Sequence, residues 1–255
     1  MVTIPEWTKI QPAKISKILE LLVGQGDYIQ LPLHERGVIW NKWRRLFKYR
    51  SIDLVAINLS KIDFTDFNLS NINFKKANLR EANLSNALLY GSDLTDADLE
   101  SANLSKAILA TANLSNANLS KAILYGADLT QTRLIDANLQ FVNLSNADLN
   151  SAKLIRARLS YANLRSVNFC NANLMQADLR SSNLSKAILT NANLSNADLF
   201  QADLTDADLE RTNLSNANLN SAKLTGADLY GTIIKNTNLH NVVGLTEEML
   251  KLTHK

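Results

Sequence analysis

From Leu54 to Leu239 a large apolar residue returns at every fifth position without a slip. The series begins Leu54, Leu59, Phe64, Leu69, Phe74, Leu79 and ends Leu229, Ile234, Leu239, giving 38 consecutive repeats. With the apolar position called i, the commonest unit has Ala at i−2, Asn or Asp at i−1 and two small or polar residues after it, as in Ala112-Asn113-Leu114-Ser115-Asn116. A period of five matches neither a helix, at about 3.6 residues per turn, nor a strand alternating every two. It matches a short strand plus a corner. Ala and Leu point to a core, the residue between them points out, and Ser, Thr, Asn, Asp, Lys or Gly at the next two positions suit a turn. Strand and corner repeated wind the chain into a coil. Coils stacked about 4.8 Å apart pair each backbone with its neighbours, and the stack is the stable unit because one coil cannot bury its own apolar face.

The unit Ala-Asn/Asp-Leu-x-x resembles the motif of the pentapeptide-repeat family over residues 52–241. The resemblance implies an all-β solenoid, a right-handed quadrilateral β-helix with four repeats and 20 residues per coil. On that basis 38 repeats make about nine to ten coils, a rod about 45 Å long at the strand spacing. Departures from the commonest unit recur at multiples of 20: Leu88, Ile108 and Ile188 at i−1, Arg133 with Lys153, Ile135 with Ile155, and Phe141 with Tyr161. The family is widespread in bacteria and abundant in cyanobacteria, and many members have no assigned activity.

The ends have a different texture. Residues 1–51 are expected to form a small α-helical cap. One helix opens at Pro12 with the stripe Ile15, Ile18, Leu19 and Leu22, and a second runs from Leu33 to Tyr49 with Trp40, Trp43 and Phe47 on one face. The first coils carry Ile52, Ile57, Ile62, Phe67 and Ile72 where later coils carry Ala, which reads as a wider mouth that receives these helices. Residues 242–255 are expected to close the far end. Thr246-Glu247-Glu248 starts a short helix with acids in its first turn, and Leu245, Met249 and Leu250 cover the core.

Charge is split along the chain. Residues 1–51 carry 9 Lys/Arg and 4 Asp/Glu, whereas residues 52–243 carry 16 and 18, a net of −2. Some relatives of the family protect topoisomerases by imitating an acidic duplex; a repeat region so near neutrality opposes that role here. One cysteine, Cys170, excludes an intramolecular disulfide framework and points to a reducing, cytoplasmic setting. No apolar signal region opens the chain and no run of 18 apolar residues occurs.

Nothing in the sequence looks like catalysis, and no cofactor or metal is expected. The three histidines, His34, His240 and His254, are in or near the ends, with no Cys/His cluster at ligand spacing. Carboxylates such as Asp93, Asp98 and Asp128 at i−1 read as outward, solvated repeat residues, and a filled coil offers no substrate cavity. The expected role is therefore a non-enzymatic interaction scaffold for a protein partner. The candidate surface is on the middle coils: Arg133, Ile135, Lys153, Ile155, Arg156 and Met175 about one side, Arg158 on the next, and Phe141 and Tyr161 at the following corner. Exposed apolar residues ringed by arginine make a protein-binding patch. Two alternatives stand beside it: residues 33–50, basic and aromatic, as a surface for nucleic acid or an acidic membrane, and the stripe Leu88, Ile108, Ile188, Tyr90 and Tyr230 as a homodimer contact.

Overall fold

The computed structural model describes residues 32–46 and 52–252. The first helix of the sequence reading and Phe47 lie outside them. Helix α1 (Leu33–Leu46) is followed by strands β1 (Ile52–Asp53) and β2 (Ile72–Asn73), and helix α2 (Glu247–Leu252) ends the described chain. β1 and β2 pair in parallel with Ile52 opposite Ile72. The same 20-residue register then continues as single parallel bridges from Asn58↔Asn78 to Lys223↔Val243. Four five-residue sides therefore make one coil.

Three hydrogen bonds per repeat hold the stack. The amide of i donates 19 residues ahead (Leu114 N to Arg133 O, 2.7 Å), as does the amide of i+2 (Asn116 N to Ile135 O, 2.9 Å), and the amide of i−1 donates 21 residues back (Asn138 N to Ala117 O, 2.9 Å). The corner closes through a fourth, Ala117 N to Leu114 O at 3.1 Å. From Ala56 to Asn241 every i+2 residue has φ between 53° and 73°. A turn with positive φ only at its third residue is type II, which favours Gly or Asn there. Here Asn, Asp, Ser, Lys and even Phe141 and Tyr161 adopt it, and Gly91, Gly126, Gly226 and Gly231 are a minority.

The residue at i−1 supports this corner. Its side-chain oxygen accepts the i+1 amide two residues on, as in Asn118 Oδ1 with Ser120 N at 3.2 Å and Asp98 Oδ1 with Glu100 N at 3.1 Å. A Ser or Thr at i+1 adds its hydroxyl to the same oxygen, Ser120 Oγ at 2.8 Å and Thr95 Oγ1 at 2.6 Å from Asp93. The remaining Asn N–H groups run up the column: Asn138 donates to Asn118 and Asn118 to Asp98, each at 3.0 Å. Asp93, Asp98 and Asp128 are therefore not the solvated ornaments the sequence suggests. They are half-buried members of a hydrogen-bond ladder, because the short carboxamide or carboxylate arm reaches its own turn before it reaches water.

Inside, Leu at i and Ala at i−2 are fully buried along the rod. Where a hydroxyl replaces the Ala methyl it is satisfied, as in Thr132 Oγ1 to Leu129 O at 2.7 Å. At the wide mouth α1 takes the place of a missing coil. Trp40 Nε1 donates to Asn68 O at 2.7 Å, Asn41 Oδ1 accepts from Asn68 N at 2.7 Å, and the Arg44 guanidinium donates to Ser70 O. Trp40 packs on Phe67 with ring centroids 6.5 Å apart, and Phe67 on Phe64 at 5.3 Å. Burial pulls the Arg44 guanidinium below its ordinary value. At the other end Thr246 Oγ1 accepts from Met249 N at 3.2 Å as the cap of α2. Leu245 and Met249 pack partly buried on the core.

Asn41→Ala removes the acceptor of one first-coil amide, so native-state hydrogen exchange at Asn68 is expected to accelerate while exchange at mid-rod amides stays unchanged. Trp40→Ala is expected to cost about 3–5 kcal/mol in urea unfolding, as buried aromatic truncations do.

Candidate partner-binding surface

The first side of the coil brings Arg133 and Lys153 together as direct ladder neighbours, with Asn113 below and Asn173 above. Both cations are exposed and have no ion pair among the described residues. Arg158, on the second side between Asn138 and Asp178, is likewise exposed and without an ion pair. Arg156 differs from the expectation. Its guanidinium forks onto Asp136, 20 residues back, with Nε–Oδ1 2.7 Å and Nη2–Oδ2 2.6 Å. That bond holds the Asp136 carboxyl below the usual carboxylate range, and Arg156 offers no free charge.

Phe141 and Tyr161 stack at the corner after the second side, ring centroids 5.1 Å apart and planes 6° from parallel. They are 56% and 58% exposed. Ile135, Ile155 and Met175 are half-buried rather than exposed. They share one column, where side chains a coil spacing apart cover one another. The patch therefore consists of three free cations and a ring column, with the apolar stripe as its floor.

Sequence reasoning missed Asp136 and the cluster of Arg180 with Asp178 and Asp198. Arg180 donates to both oxygens of Asp178 at 2.8 Å and lies 3.6 Å from Asp198. The signal for the first was present, since Asp136 and Arg156 are one register apart. The hydrogen bonds from Arg180 hold the Asp178 carboxyl below its ordinary value.

Each free cation has a structural consequence. Because Arg133, Lys153 and Arg158 replace Asn or Asp at i−1, the amides of Ile135, Ile155 and Ser160 lack the side-chain acceptor their counterparts have, and none has another partner among the described residues. Tyr90, Ala110, Tyr125 and Thr190 lose theirs in the same way beside Leu88, Ile108, Ile123 and Ile188. Those four apolar residues are all exposed, and Ile123 and Tyr125 lie on the side next to the Leu88–Ile108 column.

Trp40 and Trp43 are buried under the cap, leaving Lys42 and Arg45 of that helix in solvent. A groove of about 400 Å³ opens beside α1, lined by His34, Gly37, Val38, Asn41, Asp63, Thr65 and Asp66. Among the described residues no three His, Cys, Asp or Glu side chains are grouped to hold a metal, and no helix is long and apolar enough to cross a membrane. Cys170 is half-buried and accepts from Asn171 Nδ2 at 3.2 Å.

The family model described as Pentapeptide repeats matches residues 57–96, 92–131, 132–171, 162–201 and 202–241. The chain belongs to the pentapeptide repeat family. Among solved structures, HetL, a pentapeptide repeat protein involved in heterocyst differentiation regulation from Nostoc sp. strain PCC 7120, is 34% identical over 78% of this chain and 94% of its own, with a TM-score of 0.35. Trypsin-treated QnrB1, a plasmid-mediated fluoroquinolone resistance protein, is 18% identical over 81% of this chain and 98% of its own, with a TM-score of 0.60, which shows a shared fold. A pentapeptide repeat protein of the Arabidopsis thaliana thylakoid lumen is 30% identical over 44% of this chain and 68% of its own, with a TM-score of 0.29. No curated protein matches the chain. Family and neighbours together make the coil a right-handed quadrilateral β-helix.

Two stability tests follow from the geometry. Arg133→Asn, Lys153→Asn and Arg158→Asn each restore an acceptor to a neighbouring amide, so each is expected to stabilise the protein by about 0.5–1.5 kcal/mol in denaturant unfolding. Asp178→Asn keeps the turn acceptor and deletes the charge together with the Oδ2 acceptor of Arg180 Nη2. Because the native carboxyl titrates below its unfolded value, its contribution is present above the ordinary carboxylate range and lost as pH falls through the native value. The stability gap between wild type and Asp178→Asn is therefore expected near neutral pH and to close in acid.

Proposed function

We propose that this pentapeptide repeat protein is a non-enzymatic scaffold that binds a protein partner through the middle coils. One observation carries the reading: Arg133, Lys153 and Arg158 each forgo a scaffold hydrogen bond and gain no ion pair in exchange among the described residues. Local rules broken without a local return mark functional positions. Phe141 and Tyr161 add two exposed aromatic rings in a backbone conformation that bulky residues rarely adopt. Rigid solenoids suit such a role because side chains stay on a fixed grid. In HetL the fold accompanies a part in differentiation control, which agrees with regulation through contacts.

The basic–aromatic surface of residues 33–50 is less suited to nucleic acid or membrane, since Trp40 and Trp43 are buried and Trp40 is hydrogen-bonded to the first coil. Imitation of an acidic duplex is opposed by the net −2 of residues 52–243 and by the free cations.

A pull-down from lysate of the source organism tests the scaffold. Wild type is compared with Arg133→Glu/Ile155→Asp/Tyr161→Ala and with Leu88→Asp/Ile108→Asp, each shown folded by circular dichroism. A partner retained by the second variant and lost by the first is expected. A partner lost only by the second would move the interface to the apolar stripe.

A further inference from the structure

Resting on the scaffold reading, we propose that the occupant of this patch is a short acidic segment of the partner carrying one aromatic residue. It wraps a single coil from its first side across its second, with its carboxylates on Lys153 and Arg158 and its ring on the Phe141–Tyr161 column.

Lys153, Arg158 and Tyr161 belong to one coil and occur in that order from the first side to the corner after the second. A segment that bends over the Arg156 corner, as the chain beneath it does, meets them in sequence. Arg133 lies one coil below Lys153, and two like charges as ladder neighbours with no counter-charge among the described residues destabilise one another. A bound carboxylate relieves that repulsion and makes a charge-assisted hydrogen bond.

The ring column sets the second requirement. Its interval of 5.1 Å is close to the coil spacing of about 4.8 Å and falls in the range for stacked aromatics. The next position in the column is Ser181, so no ring of the chain covers the outer face of Tyr161 among the described residues. A third ring at the level of Ser181 continues the column at the same interval. Arg180 stands beside that level with its charge taken by Asp178 and Asp198.

The same surroundings disfavour a nucleic acid. The free cations occupy two neighbouring coils and are bordered by Asp136, Asp178 and Asp198. A polyphosphate would run past them onto carboxylates, whereas nucleic-acid surfaces present a continuous basic stripe. A segment only a few residues long needs only Lys153 and Arg158, and the nearby Asp136 and Asp178 are already paired with Arg156 and Arg180.

The test is a random-peptide selection on the full chain, counter-selected against Arg133→Asn/Lys153→Asn/Arg158→Asn/Tyr161→Asn. Each substitution installs the residue that most often fills its repeat position, so this variant removes the patch without removing the fold, which circular dichroism checks. Recovered peptides are expected to combine Asp or Glu with one Phe, Tyr or Trp and to bind wild type at least about tenfold tighter than the variant by fluorescence anisotropy. Replacing their ring by Ala, or their acids by amides, is expected to remove that difference. Peptides that lack acids or a ring, or that bind both proteins equally, overturn the proposal, as does failure to recover any peptide that separates the two proteins. If the variant nevertheless loses a lysate partner, the scaffold reading stands and only this chemistry falls. Labelled oligo-dT bound by wild type, released by the variant and steeply weakened by salt would make the patch a nucleic-acid surface and sink both readings.

Discussion

The corner is the constraint on which the rest of the structure depends. Each repeat must place an ordinary side chain in the left-handed region, at a cost of about 1–2 kcal/mol, because a square coil has to turn every five residues. The fold does not meet that demand with glycine. It meets it with the oxygen at i−1, which takes the i+1 amide and fixes the turn, a hydrogen bond worth about 1 kcal/mol. Bond and strain are of the same size and nearly offset. The Leu and Ala burial and the three ladder bonds then remain to stabilise the coil. The Asn/Asp preference, the Ser/Thr frequency after Leu and the tolerance of Lys or Gln at i+2 all follow from this one arrangement.

A stack built this way carries its difficulty at the ends, where ladder groups face outwards without a next coil. At the wide mouth the answer is made by side chains. Trp40, Asn41 and Arg44 present a donor, an acceptor and a donor to Asn68 and Ser70, the groups a preceding coil would otherwise bond. This explains why a charged guanidinium is buried there and why α1 has indole rings facing the flared core. The aromatic and basic character that makes the helix resemble a nucleic-acid or lipid binder is, at Trp40, Trp43 and Arg44, the chemistry of closing a solenoid.

The architecture was legible in the sequence because a period of five has few physical solutions and because departures such as Arg133–Lys153 repeat every 20 residues. The start of α1 at Leu33 was also readable, as was the acidic first turn of α2, from Thr246-Glu247-Glu248. What was not legible was the use made of the outward residues. Asp98 was read as solvated since alternation alone says in or out; its bonds to Glu100, Asn118 and Arg80 depend on the turn and on the neighbouring coils at once. The same blindness put Arg156 among the free cations. The 20-residue register, read for Arg133 and Lys153 but not for this corner, puts Asp136 directly beneath it. Exposure of Ile135, Ile155 and Met175 was overread for a related reason, because residues in a column shield each other.

Departures at i−1 come in two chemistries, and the difference bears on function. Leu88 and Ile108 lose the turn bond but are ladder neighbours, and each is left only 37% and 39% exposed, so apolar burial returns part of the loss. Lys223 also breaks the pattern, and it gains Asp203 at 3.7 Å. Arg133, Lys153 and Arg158 have no such return. Their long side chains stand in solvent, two of them repel each other, and three amides beside them have no acceptor among the described residues. Folding alone would favour Asn at all three positions. A second body that supplies the missing negative charge would reverse that preference, and for that reason the proposed partner surface rests on the cations rather than on the more conspicuous apolar stripe.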